Sequence, residues 1–178
     1  ATGVELWVVD TATARAKKIN NVMLNTAFGG FGWEDDRTIS AQIVSRSRGA
    51  APAYQNLTPT EPNIQETSGR TGAVQTFQDL LKSPNDERLF EYYCTSQIAR
   101  IDIGGKVTEI GPPAIYDDVE VSPDGKYMLV SEIIRPFSYQ YPSSRFPKKV
   151  SVWNTDGKQV ARIADIPLQD NLPVQGVQ

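Results

Sequence analysis

Short runs of alternating apolar and polar residues, joined in pairs by turn-forming residues, dominate this sequence of 178 residues. Alternation with a period of two is typical of β-strands that bury one face. Gly-Gly or Asp-Gly between two such runs favours a tight hairpin, because these turns need residues that tolerate positive φ. The sequence predicts five antiparallel hairpins, whose strands lie at 4–10 and 15–20, 28–33 and 38–44, 96–103 and 106–111, 119–121 and 127–133, and 149–154 and 158–165.

The hairpins alternate between two types along the chain. In one type the first strand ends in Asp or Asn, and in the other a strand rich in aromatic residues or valine precedes a strongly apolar one. Equivalent positions at Asp102 and Asn154 are about 52 residues apart, whereas Asp10 and Asp102 are about 92 apart. A four-stranded unit that recurs every 40–50 residues or so is typical of propeller blades. We therefore predict an all-β fold, a partial β-propeller of about two and a half four-stranded antiparallel blades.

The longer spacing places about 40 extra residues at 46–88, which we interpret as an insertion into one propeller domain that covers 1–178. The first part of the insertion is rich in Pro, Gly, Ser and Thr and is expected to be an exposed loop. Apolar residues then recur at helical spacing, at Val74, Phe77, Leu80 and Leu81. Because Ser83-Pro84-Asn85 is expected to end this pattern, we predict one short inserted helix at about 72–82.

Composition and charge disfavour several functions. The chain is 39% apolar and 22% charged, with a net charge of −3, as in an ordinary globular domain. This acidic balance argues against binding to nucleic acid or to an anionic membrane, both of which need a basic excess. No run approaches eighteen consecutive apolar residues, so we predict no membrane span. Since Ala1-Thr2-Gly3 leads directly into a strand without an initial Met, we expect a piece of a longer protein.

The sequence contains no histidine. A Ser-His-Asp or Cys-His site needs an imidazole to move the proton, so we predict that this chain is not an enzyme. The apolar and aromatic neighbours of Cys94, the only cysteine, favour a buried, inert thiol, and no internal disulfide is possible. No cofactor is predicted, because no helix follows the glycine cluster at 29–32 to aim amides at a phosphate. These glycines are instead expected where a strand enters a crowded propeller axis.

Acidic clusters at 34–36 and 117–118 are weak candidates for a cation site. Calcium needs six or more oxygen ligands at defined spacing, and neither cluster supplies them, so no metal site is predicted. Turn chemistry explains these and similar residues better, since their side chains accept hydrogen bonds from the local backbone. The residues assigned to turns in this way are Asp35, Asp36, Asp124 and Asp156.

Several stretches resemble one family. "LWVVDTAT" and "VSPDGKYMLV" are similar to blade motifs of the prolyl oligopeptidase-type serine peptidases. "GFGWEDD", "TFQDLLKSPNDERLFEYYCTSQ" and residues 105–158 are similar to the glutamyl endopeptidase branch of that family, and the resemblance runs from about residue 4 to the end. It implies a parent serine peptidase, a hydrolase, whose N-terminal propeller caps an α/β-hydrolase domain and admits only peptides and small unfolded segments. Plant members are chloroplast proteins and bacterial members are expected to be exported, so the compartment of this chain stays open.

This chain matches only part of such a cap. It has no G-x-S-x-G elbow, so no catalytic residue is carried over. The implied partners are the remaining blades and the hydrolase domain of the parent chain, together with the peptide substrates of that parent. An incomplete ring also predicts open strand edges that favour self-association. The alternative is a segment of a non-enzymatic propeller that serves as a protein-interaction platform, and the sequence beyond Gln178 would separate the two.

The segment 133–149, "IIRPFSYQYPSSRFPKK", has the most functional character, because cations and aromatic residues alternate in a connection too long for a plain hairpin. A peptidase that cleaves after glutamate must hold a carboxylate, and a planar guanidinium suits that task. The resemblance therefore implies Arg135 or Arg145 as a substrate-binding residue. Stacking on nucleic acid is one alternative, which the net charge disfavours. The other, which we favour, is that both arginines fix the connection by ion pairs while the aromatic residues cover an edge.

Overall fold

The computed structural model describes residues 3–53 and 77–170, which contain ten strands, one α-helix and one short 3-10 helix. The strands pair as five antiparallel hairpins at the positions that the sequence predicts. The elements are β1 (Val4–Asp10), β2 (Arg15–Leu24), β3 (Phe31–Trp33), β4 (Thr38–Ile43), α1 (Pro84–Cys94), β5 (Ser96–Asp102), β6 (Val107–Ala114), β7 (Tyr116–Val121), β8 (Tyr127–Ile133), the 3-10 helix Ser143–Arg145, β9 (Lys148–Asn154) and β10 (Gln159–Ile166).

In three of the hairpins, an Asp or Asn at the end of the first strand organises the turn. Asp10 Oδ1 accepts hydrogen bonds from the amides of Ala12 and Thr13, both at 2.9 Å. Asp102 Oδ1 accepts from the amide of Gly104 at 2.6 Å. Asn154 Oδ1 accepts from the amides of Asp156 and Lys158. The strand-terminal Asp or Asn that recurs in the sequence therefore supplies an acceptor that substitutes for backbone in a tight turn.

The strands form two antiparallel sheets. One contains four strands in the sequential order β7, β8, β9, β10, as an up-and-down meander. The other contains six strands in the order β1, β2, β4, β5, β6, with β3 also paired to β4. Strands β2 and β4 share only the residue pair Leu24 and Ile43, so the β1–β2 hairpin is attached at one corner.

The hairpins and sheets stack as three layers. The first layer is β1 and β2, the second is β3 to β6, and the third is β7 to β10. Buried residues of the first layer, such as Leu6 and Ile19, share one apolar cluster with Ile101 of the second layer. Ile98 and Ile110 of the second layer share another cluster with buried side chains of the third. The central strands β4 and β5 of the second layer therefore bury both of their faces, whereas its edge strand β3 is exposed.

The prediction of an all-β fold is confirmed at the level of two antiparallel sheets with one helix. The sheets do not close into a ring within the described residues, so the propeller remains a hypothesis. Strands β4 and β5 are direct neighbours, from Thr38 opposite Asp102 to Ile43 opposite Gln97. The long segment between them therefore connects adjacent strands, and the boundaries 46–88 of an insertion there stay a prediction.

The predicted helix at about 72–82 is wrong for its described part. Residues 77–82 are not helical, residues 72–76 lie outside the described residues, and the helix runs from Pro84 to Cys94. Ser83 caps it, because its Oγ accepts a hydrogen bond from the amide of Asp86 at 3.3 Å. Serine at the N-cap, proline in the first turn and acidic residues near the N-terminus all favour the start of a helix. The Ser83-Pro84 pair therefore starts this helix, whereas the sequence pattern predicts that it ends one.

Candidate functional site

The connection between β8 and β9 packs against α1 through an aromatic cluster. Phe90 of α1 makes edge-to-face contacts with Phe28, Phe137 and Phe146, with ring centroids 6.0, 5.0 and 5.7 Å apart. Phe146 is buried together with Ile115 and Ile133 in the same apolar cluster. Such aromatic pairs stabilise by about 0.5–1.5 kcal/mol each beyond area burial. The cluster therefore fixes the connection and the helix relative to each other.

Arg135 joins the same two segments by ion pairs. Its Nε donates to Glu91 Oε1 at 2.7 Å and its Nη1 donates to Glu87 Oε2 at 2.5 Å. The guanidinium also lies 4.7 Å from the ring centroid of Phe137. Hydrogen bonds to Glu91 and Glu87 raise the pKa of Arg135, and the bond from Arg135 lowers the pKa of Glu87 below its ordinary 4.5. Because two carboxylates of α1 accept from its Nε and Nη1, Arg135 links the connection to the helix.

Arg145 has a different environment. It ends the 3-10 helix, and its guanidinium lies 5.0 Å from the ring centroid of Phe77 and 5.2 Å from that of Tyr141. Within residues 3–53 and 77–170, it makes no ion pair. Its carbonyl accepts a hydrogen bond from the amide of Gln169 at 3.0 Å. Among the described residues, the predicted ion pairing therefore occurs at Arg135 and not at Arg145, and a substrate-binding role for either stays a prediction.

A groove of about 350 Å³ lies between β3 and β7. Phe31 and Trp33, which line it, have 62% and 58% of their side chains exposed. Glu34, also in its lining, forms an ion pair of 2.8 Å with Arg100, and both side chains are largely buried. The groove thus combines two exposed aromatic side chains with a carboxylate that is already paired with a neighbouring cation.

The glycine cluster that enters this groove is crowded at only one position. A Cβ at Gly29 would overlap the side chain of Gln42, whereas a Cβ at Gly30 or Gly32 would meet open space. Because the described sheets form no closed ring, the expected crowding at a propeller axis stays a prediction for Gly30 and Gly32. Their lack of a side chain leaves the backbone beside Phe31 open to solvent.

The lone thiol and the acidic turns have local roles. Burial raises the pKa of Cys94 to about 11, so its thiol stays protonated near neutral pH. Asp35 Oδ1 accepts from the amides of Arg37 and Thr38, both at 2.7 Å, and Asp124 Oδ1 accepts from Ser122 and Lys126. In the turn between β9 and β10, the side chain that accepts hydrogen bonds from the backbone is Asn154 and not the predicted Asp156.

No cluster of three or more potential metal ligands occurs in the parts of the chain that the structure describes. In those same parts, no helix is long and apolar enough to cross a bilayer.

Sequence reasoning missed the residues that hold the connection in place. Glu87 and Glu91 are four positions apart and so share one face of α1, facing Arg135. The four-residue spacing is present in the sequence. It carried no helical meaning there, because the predicted helix at 72–82 does not include either glutamate. Phe77 was assigned to a helical stripe, whereas in the structure it contacts Tyr141 with ring centroids 6.2 Å apart.

Comparison with known proteins gives two informative similarities. The chain is 41% identical over 176 residues to a protein of Oryza sativa subsp. japonica named "Probable glutamyl endopeptidase, chloroplastic". It is 40% identical over 173 residues to an Arabidopsis thaliana protein of the same name. No family model matches the chain. No solved structure matches it either. The alignments cover 96% and 95% of this chain but only 19% and 18% of the two plant proteins, so the chain spans about a fifth of their length.

Proposed function

We propose that this chain is a non-catalytic segment of a serine peptidase related to glutamyl endopeptidase. The observation that carries the proposal is the 41% identity to a named glutamyl endopeptidase over nearly the whole chain, which corresponds to only 19% of that protein. A segment of that size leaves room for a catalytic domain elsewhere in a parent protein. In this proposal the segment belongs to a β-propeller that limits the access of peptides to an α/β-hydrolase domain.

The layered packing supports the propeller part of the proposal. The third layer is a four-stranded meander, and strands β3 to β6 of the second layer are also paired consecutively. Blades of a propeller are four-stranded antiparallel sheets that pack on their two neighbours. Three successive layers, in which the central strands β4 and β5 of the middle layer bury both faces, fit two full blades and half of another.

The absence of histidine from all 178 residues supports a non-catalytic role. A serine nucleophile needs a neighbouring base to take its proton, and in this peptidase class that base is an imidazole. In the proposal, the nucleophile, the base and the acid all belong to residues outside this sequence.

The outer faces of the first and third layers support the proposed partners. Trp7 and Val9 on β1 are 53% and 55% exposed, and Tyr127 and Leu129 on β8 are 46% and 41% exposed. Apolar residues grouped on one sheet face are typical of interaction surfaces. We propose that further sheets of the same parent protein cover these faces, as the first and third layers cover the second.

The experiment is to sequence the complete gene and to assay both the complete protein and this chain. We expect a G-x-S-x-G stretch followed by Asp and His after residue 178, and cleavage of glutamate-containing fluorogenic peptides by the complete protein only. A complete gene that contains propeller blades and no hydrolase domain would refute the proposal and favour the interaction platform. Cleavage by the purified 178-residue chain would refute its non-catalytic role.

A further inference from the structure

Two arginines of one connection have opposite surroundings. The Nε and Nη1 donors of Arg135 are taken by Glu91 and Glu87. Arg145 is ten positions later, and its only described side-chain contacts of a polar or aromatic kind are with the rings of Phe77 and Tyr141. An aromatic ring attracts a cation without supplying a lone-pair acceptor, so it does not satisfy the N–H donors of the guanidinium. Across the described ranges 3–53 and 77–170, Arg145 is therefore the arginine of this connection whose side chain donates no hydrogen bond to another residue.

The backbone around Arg145 is held in place. Phe146 is buried in the aromatic cluster, where its ring stacks on Phe137 at 5.3 Å between centroids. The amide of Gln169 donates to the carbonyl of Arg145 at 3.0 Å, and Tyr141 Oη donates to the carbonyl of Asp170 at 3.2 Å. A cation whose backbone and ring contacts are fixed loses less entropy when it binds a ligand.

We propose that Arg145 binds the carboxylate of a peptide, with Phe77 and Tyr141 holding its guanidinium in place, while Arg135 has no part in ligand binding. This proposal rests on the proposed function, in which peptides with a glutamate pass this segment. The geometry fits a carboxylate, because a planar guanidinium donates two parallel hydrogen bonds to its two oxygens. Half-buried aromatic neighbours reduce competition from water and so strengthen such a pair.

The carboxylate has two possible sources, a glutamate side chain or a free C-terminus, and the test separates them. Three peptides of otherwise equal sequence are titrated into the full 178-residue chain, with binding followed by isothermal calorimetry and by the NMR signal of the Arg145 Nε–H. The first is blocked at both ends and contains glutamate, the second is blocked and contains glutamine, and the third contains glutamine with a free C-terminal carboxylate. We expect the glutamate peptide to bind about tenfold more tightly than the blocked glutamine peptide, as for one charge-assisted bidentate pair.

Matched variants decide which arginine is responsible. Arg145→Gln is expected to remove the preference for glutamate, and Arg145→Lys to retain part of it, since a lysine keeps the charge but not the planar pair of donors. Arg135→Gln is the control and is expected to keep the full preference. Circular dichroism of each variant verifies that the fold is retained.

Three results would overturn the proposal: no preference for glutamate in the unmodified chain, a preference that survives Arg145→Gln, or one that Arg135→Gln removes equally. Tighter binding of the peptide with the free C-terminus would assign the site to a terminal carboxylate and overturn the assignment to glutamate. None of these measurements depends on hydrolysis. Their outcome is therefore independent of whether the complete gene encodes a catalytic domain, so a failure of this proposal can be told apart from a failure of the proposed function.

Discussion

The second layer and the two outer layers contain strands of similar apolar character but differ in burial. In β5, five of seven residues are buried, since one sheet packs on each side of the strand. In β1, only Leu6 is buried, and Trp7 and Val9 on the opposite face are about half exposed. The difference comes from neighbours and not from composition. A strand of this chain therefore has both faces buried only where a sheet packs against each of them.

The largest expected effect is the loss of a side chain from the covered layer. Ile101 is fully buried between the first and second layers. Ile101→Ala is expected to lower the free energy of unfolding by about 2–5 kcal/mol, because the cavity adds to the lost apolar transfer. The matched control is Ile163→Ala in β10, where the side chain is 58% exposed and the expected change is within about 0.5 kcal/mol. Urea denaturation measures both, and equal losses would contradict the comparison.

The next effect concerns the close approach of the second and third layers. Gly111 has a φ of +64°, and a Cβ there would overlap the indole of Trp153. Gly111→Ala is expected to destabilise by about 2–4 kcal/mol, which combines left-handed backbone strain with overpacking.

The control for Gly111→Ala is a glycine with the same left-handed backbone but no side chain near its Cβ position. Gly125 has a φ of +69° with open space at its Cβ position, so Gly125→Ala is expected to cost only about 1–2 kcal/mol. If the two variants lose the same stability in thermal unfolding, Trp153 yields to the added methyl group and the interface between the layers is less tightly packed than described.

The hairpins could be predicted from the sequence because their signals are local. Alternation and turn residues such as Gly104-Gly105 and Asp156-Gly157 act within a few positions, and all five hairpins are present. The predicted helix lies on the wrong side of Ser83-Pro84, because a serine followed by a proline can precede a helix or follow one. The apolar spacing before this pair favoured a helix that ends there, whereas the helix of the structure begins there. Leu81, part of that stripe, packs instead against the cluster that contains Ile115, Ile133 and Phe146.

The candidate site could be predicted only in part. Arg135 and Arg145 were identified from the alternation of cations with aromatic residues, but their different partners depend on contacts between distant segments. Glu87 precedes Arg135 by 48 positions, and Phe77 precedes Arg145 by 68. No local pattern contains such pairings. The sequence therefore suggested two equivalent arginines, whereas among the described residues one is ion-paired to α1 and the other contacts only aromatic rings through its side chain.

A smaller effect is expected from the ion pairs of Arg135, which lie outside the stacked layers. Glu87→Gln is expected to lower the free energy of unfolding by about 0.5–1 kcal/mol near neutral pH, as for a partly exposed ion pair. Arg135 lowers the pKa of Glu87 below its ordinary 4.5. A carboxylate with a lowered folded-state pKa stabilises fully above its unfolded pKa and loses that contribution as the pH falls through the folded value. The difference between variant and unmodified chain should therefore begin to shrink near pH 4.5 and disappear as the pH falls through the lower folded-state pKa of Glu87.

Glu109→Gln is the control for this pH dependence. Its partner Arg46 is 3.8 Å away and both side chains are well exposed, so no measurable change is expected at any pH. Urea titrations at a series of pH values test both variants. A stability difference for Glu87→Gln that persists unchanged in acid would show that it arises from packing and not from the charge.

The smallest change in the free energy of unfolding is expected from substitutions on the outer faces of the first and third layers. The same substitutions should have a large effect on self-association. The exposed face of β1 carries Trp7, and that of β8 carries Leu129. Because no sheet covers these side chains within the described residues, the double variant Trp7→Thr with Leu129→Thr should change the free energy of unfolding by no more than about 0.5 kcal/mol. Threonine is β-branched, which suits a strand, and it removes apolar area from the exposed face.

The same double variant should change the association state. A net charge of −3 gives little electrostatic repulsion between copies, so exposed apolar faces are expected to associate at micromolar concentration. Analytical ultracentrifugation should show oligomers of the unmodified chain and mainly monomers of the double variant. Tyr93→Thr, which removes an equally exposed aromatic residue from α1, is the control and should leave the oligomers unchanged. If the unmodified chain is monomeric, or if Tyr93→Thr also dissociates the oligomers, the outer faces do not act as contact surfaces. The difference between covered and uncovered layers would then have no consequence for assembly.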